Sequence, residues 1–359
     1  WMIDADDMLV GEFTFPHDVP MDAYSLRIQR GNFTWWRNQI FKIGAGWEYI
    51  GVLHEYAHIP DKPDITQARI QTEGYHIEAR TLGARNIVGG EDKTLLDVKE
   101  KYLRDAEVLK SALTNPEDPA YEPENARYHF YLAQSYFDAQ DWENAKIWYE
   151  KRAEMGGWEE EVFYSWYRVA MCASLCEENW PVVCQMFLRA WEYRPIRSEA
   201  LYQIARIYRL SGHPRLAYMF AKQANDIPFP ANDILFLPDE LHAWQILDEI
   251  GSTAFYVGNM QEGHDACMQL LKDNKFPESE RGRIMGNLEQ YQLALQQMSE
   301  LQEQEKQRHE ELQKNIEERS QKEKEERLAK VKAAEAKKKK EKNKKKRTQA
   351  KKSRKAQKA

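Results

Sequence analysis

Asp4-Ala5-Asp6-Asp7 follows directly on the apolar run Trp1-Met2-Ile3. On extended backbone, residues two apart face the same way, so Asp4 and Asp6 would jointly present oxygens to a hard divalent cation such as Mg²⁺ or Mn²⁺. A cation held there would neutralise a diphosphate leaving group. The plain alternative is an acidic turn that closes a strand. A second candidate, His54-Glu55, ends the segment Gly51-Val52-Leu53. The Glu55 carboxylate can take a proton from an attacking sugar hydroxyl, and His54 can ligate a metal or hold a phosphate oxygen. Neighbours on a strand face opposite ways, so this pair acts together only from an irregular loop. Otherwise His54 is a half-buried histidine and Glu55 a surface acid. Trp35, Trp36, Trp47 and Tyr49 fall within 15 residues. Flat aromatic faces pack on the apolar side of a sugar ring, which makes these four candidates for binding an acceptor, although a protein core uses the same residues.

The elements that must position these groups change character along the chain. Extended apolar runs (Trp1-Ile3, Ala23-Ile28, Phe33-Trp36, Ile87-Val88) alternate with turns over the first 90 residues and predict strands. From Asn125 to about Gln296 the pattern becomes helical and repeats. Leu132, Ala133 and Tyr136 precede the turn Asp141-Trp142, and Ala145 and Tyr149 follow it. Tyr167 and Ala170, then Val183, Phe187 and Ala190, form a looser unit. Ile204, Ala205 and Tyr208 with Ala217 and Ala224 form the cleanest one, and Ile250, Gly251 and Ala254 with Gly263 and Leu270 form a fourth, after a Pro-rich insertion from Pro228 to Pro238. Such units resemble tetratricopeptide repeats, helix-turn-helix units of about 34 residues that need a small residue where the two helices cross. The equivalent positions Ala145, Val183, Ala217 and Gly263 show that the array is irregular.

Charge divides the chain. The 359 residues sum to −6, but residues 301–359 carry 23 Lys and Arg against 11 acidic residues, so the rest is strongly acidic. Residues 298–336 read as a charged helix whose sparse apolar positions, Leu301, Leu312, Ile316 and Leu328, do not sustain coiled-coil heptads. Residues 337–359 read as a disordered Lys-rich tail. It has no aromatic residue to stack on bases, so the expected partner is any polyanion, bound without sequence preference and weakened by salt. No stretch approaches the roughly 18 apolar residues of a transmembrane segment. Cys172, Cys176, Cys184 and Cys267 lie in helical patterns without a CxxC pair, which points to core thiols in a cytoplasmic protein, with nuclear entry open through the Lys runs.

The order of the motifs is more specific than any one of them. A strand ending in DADD, the strand Arg37-Asn38-Gln39-Ile40-Phe41 and then Trp47-x-Tyr49-x-Gly51-x-x-His54-Glu55 is similar to the second half of a family 2 glycosyltransferase with a GT-A fold. Arg127-Tyr128-His129-Phe130-Tyr131-Leu132-Ala133-Gln134-Ser135-Tyr136, Tyr149-Glu150-Lys151-Arg152 and Gly156-Gly157-Trp158-Glu159-Glu160-Glu161-Val162 resemble the helical extension of the tetratricopeptide-containing glycosyltransferases of bacteria and large DNA viruses. The resemblance covers about residues 1–225. It implies that Asp4 and Asp6 occupy the DXD positions that hold the cation and the ribose or diphosphate of a nucleotide-sugar donor, with Asp7 adjacent. It also implies that Glu55 is the base, with His54 beside it, in a metal-dependent, inverting transfer to the hydroxyl of a carbohydrate or protein acceptor. In that family the nucleotide-binding strands precede the DXD, whereas three residues precede it here, and an N-terminally truncated domain is the expectation.

The expected fold class is therefore an α+β remnant of a GT-A α/β domain (1–95), a helical linker (96–124), an all-α tetratricopeptide-like solenoid (125–297), a charged helix and a disordered tail. Two functions compete: the transferase, and a non-enzymatic scaffold that binds a peptide or protein on its repeats and a polyanion through its tail.

Overall fold

The structure, a computed structural model, describes residues 1–15, 20–31, 33–60, 62, 64–80 and 95–356. Ile87-Val88 lies outside the described residues. The chain forms two compact units, 1–291 and 292–359.

The first unit opens with a mixed sheet. A long hairpin, β2 (Ala23–Arg30) and β3 (Phe33–Phe41), forms its centre. β1 (Met8–Gly11) pairs antiparallel with β7 (Tyr75–Glu78), and both β7 and β6 (Gln67–Arg69) run parallel to β2. The strand predicted over Ala23-Ile28 forms, and Tyr24, Leu26 and Ile28 face inward with Ile70, Tyr75 and Ile77. β4 (Glu48–Ile50) and β5 (Tyr56–His58) form a separate hairpin. Trp1-Ile3, expected to be a strand, is not one, although Met2 N–H donates to the Gln39 carbonyl at 2.7 Å and lays the segment beside β3.

Asp22 locks the start of β2. Its carboxylate accepts from Lys62 Nζ (2.5 Å), Thr66 N (2.9 Å) and Thr66 Oγ1 (2.7 Å), and these donors, Lys62 foremost, hold it far below the usual carboxylate range. A depressed acid contributes stability that is full above its unfolded pKa, near 4, and is lost as pH falls through and below that value. Asp22→Asn is therefore expected to be less stable than the parent at pH 7 and to lose less on acidification, read as thermal midpoints from pH 7 to 3. Parallel curves would refute the role.

The helical part is a tetratricopeptide-like solenoid of hairpins. α1 (Leu95–Thr114) is not a linker, because it packs against α2 (Ala126–Asp138). α2 pairs with α3 (Trp142–Glu154), α4 (Glu159–Leu175) with α5 (Trp180–Tyr193), and α6 (Glu199–Leu210) with α7 (Pro214–Asn225). α8 (Ile246–Thr253), preceded by a π-helical turn at Leu241–Gln245, pairs with α9 (Met260–Asp273). Starts are set by local chemistry: the Asn125 and Asp141 side chains accept from Tyr128 N and Asn144 N, three acids open α4 toward the positive helix end, and prolines begin α5 and α7. The small residues predicted at the crossings are buried: Ala145, Ala205 and Ala217 are fully covered. At Gly263 any Cβ would lie 2.1 Å from the ring of Tyr291, on the helix that follows α9, so only glycine admits that helix this closely.

The insertion between α7 and α8 departs from the repeat plan. Its end forms β8 (Leu237–Pro238), which pairs with Phe33 and Thr34 of β3. Just before it, Ile234 N and Leu235 N both donate to Glu160 Oε2 at 2.7 Å, and the Phe236 ring lies 4.8 Å from that of Tyr164 and 6.3 Å from that of Phe130. Residues 233–238 are thus a strap across α2 and α4, bent at Phe236 (φ 45°) and continued to the start of α6 by Arg197. The Arg197 side chain, 1% exposed, donates to Glu199, Asp233 and the carbonyls of Leu235 and Phe236.

The last helix, α10 (Arg281–Ala356), crosses into the second unit, where it is exposed almost throughout. The tail expected to be disordered from residue 337 is helical to Ala356. Residues 287–359 contain no Gly or Pro, and Lys, Glu, Gln, Arg and Ala are all good helix formers. Among the described residues no helix is long and apolar enough to cross a membrane. The four cysteines are free, and burial pushes the thiols of Cys172 and Cys267 up to about 12, which makes them poor nucleophiles.

Candidate functional site

The acidic motif is a turn, not the extended strand end expected. Asp7 N–H donates to the Asp4 carbonyl at 3.1 Å, so the reasoning that aligned Asp4 with Asp6 by strand alternation does not apply. What gathers the carboxylates is Arg37 on β3. Its Nη2 lies 3.1 Å from Asp4 Oδ2 and 3.4 Å from Asp7 Oδ2. Asp7, whose side chain is 4% exposed, also accepts from Arg80 N at 3.2 Å. Burial pushes its carboxyl above the ordinary range, with the Arg80 N–H and the Arg37 charge pulling it back. Asp4 is open to solvent and Asp6 half-buried. The turn offers hard oxygen donors that suit Mg²⁺ or Mn²⁺, but no group of three or more potential metal ligands occurs among the described residues. A cation on Asp4 and Asp6 would need its remaining ligands from a bound diphosphate or water.

The His54-Glu55 pair meets the condition set by its adjacency. Residues 51–55 form the irregular loop that joins β4 to β5, with Gly51 at φ 117° and His54 itself left-handed at φ 53°. Left-handed backbone is unfavourable for a histidine and is held by its surroundings. Leu53 is buried in the core of the helical array, and the His54 carbonyl accepts from Arg127 Nη2 at 2.7 Å. The His54 ring stacks on Tyr131 at 3.9 Å between centroids, and the Arg127 guanidinium lies 4.7 Å from the ring centres of both Tyr56 and Tyr131. Glu55 remains exposed. The loop is thus fixed by α2 while its acid faces water.

Arg127 is a positioning residue, and arginine is the type that can stack on two rings and donate at once. Arg127→Lys is expected to lower the protection of the 51–58 amides in hydrogen exchange by about tenfold, the equivalent of one lost charge-assisted hydrogen bond, without unfolding the array. Unchanged exchange would remove Arg127 from this role.

The aromatic candidates separate. Alternation along β3 turns Trp35 toward the core of the sheet and Trp36 to the opposite face, where Arg69 lies 5.6 Å from its ring centre. Trp47 packs on Phe41 at 4.8 Å. Tyr49 is half exposed and its hydroxyl meets Met2 Sδ at 3.8 Å, at the threshold of the acidic turn. Sequence reasoning passed over Arg37, Arg127, Tyr131 and the strap. Arg127 and Tyr131 are four apart on a helix and thus share a face, but nothing in the sequence says that the face meets residues 54–56.

No family model matches this chain, and no curated protein matches it. Solved structures that are similar over part of it include MamA (15% identity, TM-score 0.38, 49% of this chain and 91% of that one). Others are YrrB, described as a TPR protein with an unusual peptide-binding site (16%, 0.34, 50% and 81%), and BtubC from P. vanneervenii (14%, 0.39, 51% and 81%). Likeness at this level carries no inference of function.

Proposed function

We propose that the chain acts in glycosyl transfer, moving a sugar from a nucleotide-sugar donor to a hydroxyl of a carbohydrate or protein acceptor. The observation that carries this reading is the pinned loop: an irregular turn anchored by Leu53, Arg127 and Tyr131 that leaves Glu55 open to solvent. A general base needs this combination of a fixed backbone and a free carboxylate. In this reading Glu55 takes the hydroxyl proton as the oxygen attacks the anomeric carbon, and His54 fixes the loop. Asp4 and Asp6 hold the divalent cation, Asp7 and Arg37 brace their turn, and Tyr49 lies at its edge. When bound, the cation supplies charge neutralisation to the departing diphosphate. The resemblance in motif order supports the same assignment, and the four free thiols suit a cytoplasmic location.

Asp6→Asn is expected to raise the Mn²⁺ concentration needed for half-maximal transfer by at least about tenfold, which a metal titration with a panel of nucleotide sugars would measure. Metal-independent transfer by parent and variant alike would overturn the metal assignment.

The hairpin array itself favours a second reading, a scaffold that presents helix faces to a peptide or protein while the Lys-rich end of α10 holds a polyanion. Partner binding that survives removal of residues 1–90 and disappears on removal of 125–297 would support it over transfer.

A further inference from the structure

The open face of the sheet, opposite its core, holds a row of polar side chains that runs across β3, β2 and β6. Ser25 on β2 stands in register with Asn38 on β3 and with Arg69 on β6. Ser25 Oγ donates to Asn38 Oδ1 (2.5 Å) and Asn38 Nδ2 donates to Gln67 Oε1 (2.9 Å), so the row is pre-set and the amide of Gln67 keeps its two N–H groups for a ligand. Trp36 forms one wall and Ile234 of the strap another, around a cavity of about 370 Å³. Arg69 has no ion-pair partner among the described residues, and its guanidinium lies 5.6 Å from the centre of the Trp36 ring. A guanidinium kept half-buried without an acid, beside an indole and a fixed amide row, is incomplete as a piece of core.

We propose that this cavity is a subsite for an acidic sugar unit. The pyranose ring lies against Trp36, its hydroxyls bond to Ser25 and Gln67, and its carboxylate meets Arg69. The volume falls within the range of small-molecule sites. The proposal extends the transferase reading by naming a class of acceptor, and rests on that reading only for what happens to the bound sugar.

The test is a titration of the full chain, free of nucleotide and metal, with methyl glucuronide, methyl glucoside and inorganic phosphate, followed by heteronuclear NMR. Saturable shifts with the glucuronide are expected, abolished in Trp36→Ala. Arg69→Gln should weaken the glucuronide by about tenfold and leave the weaker glucoside unchanged, since it removes one charge-assisted contact. Arg69→Gln shortens a side chain that is only half-buried and leaves no core cavity, so it reports on binding even if Trp36→Ala unfolds. Binding of the glucuronide by both variants as tightly as by the parent, no saturation, or phosphate binding as tightly as the sugar acid would each overturn the subsite. Retained sugar binding without transfer in any variant or parent would sink transfer alone, and transfer without sugar binding would sink the subsite alone.

Discussion

Replacing Glu55 by glutamine is expected to cut glycosyl transfer by about 10²–10⁴-fold, the usual share of a positioned general base. Glutamine matches the acid in size and cannot accept the proton. Glu55 is exposed and its loop is held by neighbours, by Leu53 in the core and by the His54 carbonyl on Arg127, so the thermal midpoint should stay within about 1 °C. The loss should fall on kcat, with donor binding intact, because the proton moves only in the transition state. Transfer by Glu55→Gln at the parental rate would remove the carboxylate from the chemistry, and with it the main support for an enzymatic function.

The second large effect belongs to Arg197. Its guanidinium meets Glu199 and Asp233 and two strap carbonyls, and lies 4.8 Å above the Phe163 ring, all out of water. Removing one member of a buried charged cluster leaves the others desolvated and unpaired, which costs about 3–5 kcal/mol. Arg197→Ala should lose that much in urea unfolding. Glu160→Gln tests the same strap more gently, because an amide oxygen still accepts from Ile234 N and Leu235 N. A loss below about 1 kcal/mol in Arg197→Ala would mean that the strap is not held by this cluster.

How far the sequence spoke depended on the range of the interaction. Each helical hairpin was legible because its signals are local: a small residue at the crossing, a capping Asn or Asp, a proline at a first turn. β2 and β3 were legible as apolar runs bounded by turns. The packing of α1 was not, because a charged amphipathic segment reads as a helical linker until its partner α2 is placed. The acidic motif was found but its geometry was misjudged, since a turn and a strand end share the same polar composition. The irregularity of residues 51–55 was posed as a condition by simple adjacency, and what satisfies it, an arginine 73 residues away, carries no local mark. The Lys-rich end is helical because its residues are good helix formers, a propensity that its density of like charge conceals in the sequence.

The strap changes how the molecule must fold. Stacked hairpins interact with their neighbours alone, so such arrays nucleate anywhere and fray piecemeal from their ends. Here bonds spanning 74 and 75 residues tie Glu160 on the second hairpin to backbone that emerges after the third, and β8 carries the same segment into a sheet formed 200 residues earlier in the chain. These are non-local contacts of the kind that slow folding. They also cross-link the near end of the array, so the sheet and the first three hairpins are expected to open together, as one cooperative block, while the fourth hairpin and the long helix keep the freedom of an ordinary repeat end.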